Sequence, residues 1–290
     1  MEIKISHSDV DSFNLCTRRE YYGGRLGLRR KALSDSLTRG IMLHDIMESF
    51  FKGGMQESIG FQVLDELLTG PDGYNHLEII AEVKRLYEFF LESEVYKGWE
   101  PIAVEKKYAL DLSTPEDIDN GIQLIYPFTV DMVMKNQFDE VVLVDHKTTY
   151  RWYTDKQIDL NMQLPRYAVA LTQLNYGITK CAYLQFRHRY RADADHTDVI
   201  RYEEFEPSMT RLNRGFEELQ TTMRKIAYLR QQPLEVHDKH AVRTANNLVC
   251  NSCSYSELCI ADLNGWDTGL LIKTGYEEAE DRYPDVEILK

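Results

Sequence analysis

The spacing of apolar residues is helical over the N-terminal third of the chain and becomes alternating at its centre. Ser6 or Ser8 can cap a first short helix, because acidic residues follow and Val10 and Phe13 come at helical spacing. Residues 37–51, LTRGIMLHDIMESFF, set Ile41, His44, Met47 and Phe51 on adjoining turns of a helix that Gly53–Gly54 stops. A further helix over 59–68 ends at Gly70–Pro71, and a longer one near 77–95 carries Leu77, Ile80, Val83, Tyr87, Phe90 and Leu91 on one side. LSTPEDIDNG, 112–121, reads as a hairpin loop or small insertion. Then Ile122, Leu124, Tyr126, Phe128, Val130 and Met132 alternate, which predicts a strand with Asp131 on its opposite face. FDEVVLVDHKT, 138–148, is a second strand. Helical spacing returns through Leu160, Leu164, Tyr167, Ala168 and Leu171. CAYLQF, 181–186, is a third strand, and 209–229 a long final helix. The class is α/β with substantial helical additions.

A chain with 43% hydrophobic and 28% charged residues, without repeats, is neither disordered nor collagen-like nor a coiled coil. No apolar run approaches the roughly 18 residues of a membrane span. The opening MEIKISHSDVDSF lacks the basic-then-apolar order of a signal peptide, so a cytoplasmic protein without a membrane partner is expected. A length of 290 residues suits a single domain. It would comprise a basic N-terminal segment (1–35), a core with helical insertions (36–235), a cysteine segment (236–265) and an acidic tail (266–290).

The net charge of −13 argues against unspecific coating of nucleic acid, but the charges are segregated. Arg18, Arg19, Arg25, Arg29, Arg30, Lys31 and Arg39 fall close together, as do Arg187, Arg189 and Arg191. The tail gathers Glu277, Glu278, Glu280, Asp281, Asp285 and Glu287 against Arg282 and Lys290. The plain reading is a solvated, salt-bridged surface; a local basic channel is compatible with the same numbers.

Five cysteines in a chain without secretion features give poor support for a disulfide framework. Cys250, Cys253 and Cys259 form C-x2-C-x5-C, three soft ligands that suit zinc or an iron–sulfur cluster and need a fourth. Cys16 is the best fourth ligand, with His237 or His240 open for zinc; Cys181 reads as a buried strand thiol. The spacing leaves zinc and [4Fe–4S] level.

The strand ends carry the other chemistry. Asp145 and Lys147, two apart, project to one face where an apolar run meets charge. Such a carboxylate is costly to bury unless paired or bound to a metal. Asp131 can supply a second carboxylate, and hard oxygen ligands suit Mg2+ or Mn2+. A cation held there can polarise a phosphodiester, and Lys147 can orient water or neutralise phosphate charge. His44 interrupts an apolar helix face, where a hydrogen-bonded core histidine is the ordinary alternative. Gln163 and Tyr167, four apart, share one side of a helix.

With these residues in this order, the chain resembles the PD-(D/E)xK nuclease superfamily, specifically its RecB-like and Cas4-like branch with an iron–sulfur cluster. The resemblance runs from SHSDVDSFNLCTRREYY to CNSCSYSELC. It implies a restriction-endonuclease-like core, with a central mixed sheet flanked by helices and a C-terminal iron–sulfur segment. RGIMLHDIMESFF matches the Gly-x-x-x-His helix through Gly40 and a metal-binding His44; TVDMV supplies Asp131, and VDHKT supplies Asp145 and Lys147. QLPRY matches a Gln-x-x-x-Tyr helix, Gln163 and Tyr167, which in relatives borders the active site and contacts DNA. Cys16, Cys250, Cys253 and Cys259 match the cluster ligands, which moves the reading from an even choice to [4Fe–4S]. Relatives often carry a glycine shortly before the first acidic residue, where this chain has Pro127–Phe128–Thr129–Val130. No helicase phosphate loop is present, so a free-standing nuclease or nuclease subunit is implied.

The expected function is Mg/Mn-dependent exonuclease action on single-stranded DNA ends in recombination, repair or processing. A recombination or repair protein is a further expected partner. Arg18, Arg19, Tyr21, Tyr22 and Arg25, with Arg187, Arg189 and Arg191, would contact the nucleic acid. The alternatives are a DNA-binding or assembly module with a silent nuclease core, a structure-specific endonuclease, or a purely structural metalloprotein.

Overall fold

Ser6 caps the first helix. In a computed structural model describing residues 1–70, 73–244, 246–284 and 286–289, its hydroxyl accepts from the Asp9 amide while Ser6 N donates to the Asp9 carboxylate at 2.8 Å. This capping box satisfies two amides that an open helix end leaves bare. The expected helix stop at Pro71 and the tail charges Asp285 and Lys290 lie outside the described residues.

The elements follow in the order β1 (Glu2–Lys4), α1 (His7–Leu15), α2 (Thr17–Glu20), a π-turn (Tyr21–Arg25), β2 (Leu28–Arg30), α3 (Asp35–Lys52), α4 (Glu57–Thr69) and α5 (Leu77–Ser93). Then come β3 (Glu100–Asp111), α6 (Pro115–Asp119), β4 (Gln123–Lys135), β5 (Val141–Thr149), α7 (Asp155–Leu160), α8 (Gln163–Gln173), β6 (Lys180–Arg187), α9 (His196–Val199) and β7 (Ile200–Phe205). The chain closes with α10 (Met209–Gln231), α11 (Leu234–His240), α12 (Asn247–Cys250), α13 (Ser256–Leu263), α14 (Thr268–Gly275), β8 (Tyr276–Glu278) and β9 (Ile288–Leu289). Among the described residues no helix is long and apolar enough to cross a membrane. The chain divides into two compact units: a core unit, 34–106 with 129–216, and a terminal unit, 1–33 with 107–128 and 217–290.

In the core unit the strand order is β7–β6–β5–β4–β3. β5 and β6 are parallel, while β4–β5 and β6–β7 are antiparallel, so the expected mixed sheet is present. α3 packs on β5, and α8 packs on β5 and β6. Cover on both sides explains why Val142, Leu143 and Val144 are apolar without alternation. α3, α4 and α5 also pack together around Phe50, Phe51, Tyr87 and Phe90, with rings meeting edge-on at 4.9–6.2 Å. Each such buried ring contributes about 1.5–3 kcal/mol. The buried stripe of α3 is Met42, Leu43, Ile46, Met47, Phe50 and Phe51, whereas Ile41, expected inside, is exposed. Gly60 has a packing reason: a Cβ there would stand 2.4 Å from the Tyr87 hydroxyl oxygen.

In the terminal unit β1 pairs parallel with the start of β4, and β9 pairs parallel with the end of β3. β2 and β8 form an antiparallel pair that sets Arg29 opposite Glu277. A polar centre of this unit is the half-buried Arg230, which donates to Lys4 O at 2.9 Å, Asp9 at 2.9 Å and Glu20 at 2.8 Å.

The expected C-terminal iron–sulfur segment and its [4Fe–4S] cluster are not borne out. Cys16, Cys250, Cys253 and Cys259 all lie in the terminal unit, but they do not gather into a ligand set; the metal-capable group found among the described residues contains no cysteine. Cys16 Sγ faces Val242 O at 3.8 Å, and Cys253 Sγ accepts the Tyr255 amide at 3.5 Å. Cys259 Sγ accepts Arg243 Nε at 3.0 Å, and that guanidinium also pairs with Asp262. Cys250 is exposed. His237, packed edge-on against Tyr21, and the exposed His240 do not complete a zinc set either. Apolar packing of Tyr21, Tyr22, Ala241, Leu258 and Tyr276 and pairs such as Arg29–Glu277 join the two chain ends instead.

Candidate active site

Every residue of this site belongs to the core unit. The β4–β5 ladder runs from Lys135 opposite Val141 to Met132 opposite Val144. At the next step a side chain takes over: Asp131 Oδ2 accepts the His146 amide at 2.7 Å. β4 itself continues unbroken through Pro127, so the missing glycine before Asp131 does not disturb the strand. His44 reaches this point from α3, with Nε2 3.8 Å from Asp131 Oδ2 and Nδ1 2.8 Å from Glu105 Oε1. Gly40, one turn earlier, is not sterically required, because an added Cβ would meet Thr148 Oγ1 at an ordinary 3.6 Å.

Glu105 was not legible as a site residue. It lies within β3 with φ +43°, a conformation that costs a side chain of this kind roughly 1–3 kcal/mol. This break in the pleat turns its carboxylate to His44.

On β5, Asp145 Oδ2 lies 2.7 Å from Lys147 Nζ, which also donates to Gln163 Oε1 at 3.1 Å. Gln163 opens α8, and Tyr167, one turn on, is buried. The sequence-predicted His44, Asp131, Asp145, Lys147 and Gln163 are therefore linked by short contacts or shared fields.

The charged groups of the site act on one another. Burial disfavours charge on His44, but Asp131 and the Glu105 hydrogen bond outweigh it and raise its pKa to about 9. Burial pushes Asp145 up to about 6 against the pull of Lys147, and the Asp131 charge adds to the rise. Burial likewise raises Asp131 despite His44 and Lys147. Lys147 is held above its ordinary range, because Asp145 and Asp131 overcome its burial. Carboxylates crowded out of water in this way favour a bound cation.

His44, Asp131 and His146 offer ligand atoms within 4.8 Å of one another. His146 was missed from sequence because it alternates away from Asp145 and Lys147 along the strand. Burial, then the charges of His44 and Lys147, hold it well below its ordinary value, so its imidazole is neutral, the ligating form. Its Nε2 is buried without a hydrogen-bond partner, an orphan that a metal or water would satisfy. The donor set of this candidate metal triad fits a divalent cation that displaces the proton His44 otherwise carries at neutral pH. Asp145, expected as a ligand, stands beside the triad rather than in it.

A family model described as the PD-(D/E)XK nuclease superfamily matches residues 4–260. The chain belongs to this superfamily. Its fold and its candidate triad are consistent with phosphodiester hydrolysis at the level of a nuclease-like enzyme. Among solved structures, the crystal structure of SSO0001 is 16% identical, covering 89% of this chain and 86% of that one, with a TM-score of 0.39. A candidate exonuclease from Eubacterium rectale is 12% identical, covering 86% and 88%, with a TM-score of 0.43. No curated protein matches the chain.

In this member of the nuclease superfamily, most of the N-terminal residues expected to contact nucleic acid are engaged within the fold. Arg18 is buried, pairs with Asp238 and lies over the rings of Tyr21 and Tyr22. Those two tyrosines are core residues and offer no free stacking face. Arg25 donates to Gln232 O at 3.2 Å, and Arg19 is half-buried. Other members of the basic stretch are ion-paired: Arg29 with Glu277, Arg30 with Glu257 and Arg39 with Glu82. In the core unit Arg187 is half-buried, while Arg189 and Arg191 are exposed. Arg191 lies 3.8 Å from Asp193 and 3.9 Å from Asp198.

Proposed function

We propose that this protein is a divalent-metal-dependent deoxyribonuclease that hydrolyses phosphodiester bonds at single-stranded DNA ends, in recombination, repair or processing. The observation that carries the reading is Lys147 Nζ, 2.7 Å from Asp145 on the strand whose His146 amide holds Asp131. His44, Asp131 and His146 would hold the cation, with Asp145 adjoining them. Bound there, a divalent cation supplies Lewis-acid polarisation of a phosphoryl oxygen and a more acidic water. Lys147, steadied by Asp145 and Gln163, presents its ammonium to a phosphate or to the attacking water, where charge develops. Imidazole in the ligand group favours Mn2+ over Mg2+, which prefers an all-oxygen shell. The exonuclease mode follows the family resemblance.

The test uses the full chain on end-labelled linear and circular single-stranded DNA and on duplex DNA, with Mn2+, Mg2+ or EDTA. The expected result is release of short products from linear single strands with Mn2+, little attack on circles, and none in EDTA. Circles cut as fast as linear strands would make it an endonuclease. A folded protein that cuts no substrate with either metal would contradict the reading.

A further inference from the structure

Beyond the catalytic residues, β5 and β6 end side by side: Thr149 is the register partner of Arg187, and the His188 amide donates to Thr149 O at 3.0 Å. The strands therefore deliver Tyr150, Arg151 and Trp152 next to Arg187, His188 and Arg189. These side chains interleave. Arg189 lies 5.2 Å and Arg151 5.7 Å from the Tyr150 ring centre, and Arg187 lies 5.0 Å from the Trp152 ring. His188 stands edge-on to Tyr150 at 6.0 Å.

Two features separate this cluster from ordinary packing. Tyr150 is 52% exposed, although it is a large ring at the end of a buried strand. No carboxylate among the described residues pairs with Arg151, Arg187 or Arg189, in a chain of net charge −13 whose N-terminal basic residues Arg18, Arg29, Arg30 and Arg39 are ion-paired. Unneutralised guanidinium groups around an exposed ring suit a ligand that is both anionic and planar. Tyr150 follows Lys147 by three residues, a reach of at most about 10 Å along the chain.

We infer that the joined ends of β5 and β6 form a platform for unpaired nucleotides of the strand being cut. A base takes the place of a guanidinium over the Tyr150 ring, and Arg151 and Arg189 turn to the flanking phosphates. The platform rests on the nuclease reading above and deepens it by naming what selects the substrate. Base faces are available for stacking only in an unpaired strand, so the platform favours single strands over duplex, with little dependence on sequence.

Binding in EDTA separates the platform from catalysis. Fluorescence anisotropy with labelled oligo(dT) and with a blunt duplex would compare wild type, Tyr150→Ala, Tyr150→Phe and Arg189→Ala, each checked for an unchanged melting temperature. The expected result for Tyr150→Ala is about a fivefold or greater loss of oligo(dT) affinity, with duplex binding unchanged. Tyr150→Phe keeps the ring and should bind as wild type. Arg189→Ala should make the log–log salt slope shallower by about 0.7, one phosphate contact on a single strand. The platform is overturned if Tyr150→Ala binds oligo(dT) as wild type does, if it loses single-strand and duplex binding equally, or if wild type does not prefer the single strand. A wild type that shows the expected binding but cuts nothing with Mn2+ contradicts the nuclease reading alone.

Discussion

Asp131 Oδ2 accepts the His146 amide where the β4–β5 backbone ladder stops, and the same oxygen lies 3.8 Å from His44 Nε2. One carboxylate thus serves as a rung of the sheet and as the charge that draws His44 inward. These roles separate by substitution. Asp131→Asn keeps an acceptor for the amide and removes the charge. At neutral pH Asp131→Ala, which orphans the amide, should melt below the Asn variant, by about 1–3 kcal/mol. Both should lose DNA cleavage. Thermal melts beside the nuclease assay read the two effects.

Lys147 is held by Asp145 and Gln163, so its ammonium is placed before any substrate arrives. Lys147→Ala should lower kcat by about 10²–10³ while DNA binding in EDTA persists. Single-turnover kinetics, with binding measured separately, tests this. A loss confined to binding would mean that Lys147 only anchors the strand.

Glu105 holds His44 from a positive-φ position inside β3. Glycine tolerates that backbone and alanine does not. Glu105→Gly should be more stable than Glu105→Ala by about 1–2 kcal/mol, the left-handed penalty of a Cβ. Neither variant can hold His44, so both should cut DNA poorly. Chemical denaturation resolves the stability order.

Cys181 is fully buried on β6, and burial pushes its thiol up to about 12. Only the thiolate alkylates. At pH 8 Cys181 should stay unmodified by iodoacetamide in the native protein and react once urea unfolds it, as peptide mass mapping would show. Cys181→Ser, which buries a hydroxyl, should cost about 1–3 kcal/mol.

Sequence periodicity located α3, α5 and β4 because each keeps one spacing over many residues, and β5 and β6 read as continuous apolar runs. β3 escaped notice because the turn of its backbone at Glu105 breaks alternation, leaving Ala103 buried and the next buried run starting only at Tyr108. Asp145 and Lys147 stood out as charges ending an apolar strand. His146 did not, because alternation assigns it to the other face. Only the packing of α3 reveals that His44 waits on that face, ring centre to ring centre at 5.9 Å. The basic stretch after Arg18 read as a nucleic-acid surface because its partners are remote: Arg29 meets Glu277 and Arg18 meets Asp238 only after folding. The cysteine spacing suggested a cluster for a related reason, since spacing reports ligand type and does not bring four sulfur atoms together.

The most direct test compares wild type with Asp145→Asn on end-labelled linear single-stranded DNA in Mn2+, both proteins shown to be folded by their melts. The buried Asp145 carboxylate holds Lys147 and sits beside the His44–Asp131–His146 triad, so its charge should be indispensable to cleavage and dispensable to the fold. The expected result is cleavage by wild type and none by a folded Asp145→Asn. Cleavage by Asp145→Asn at the wild-type rate would contradict the assignment of this site as the seat of hydrolysis.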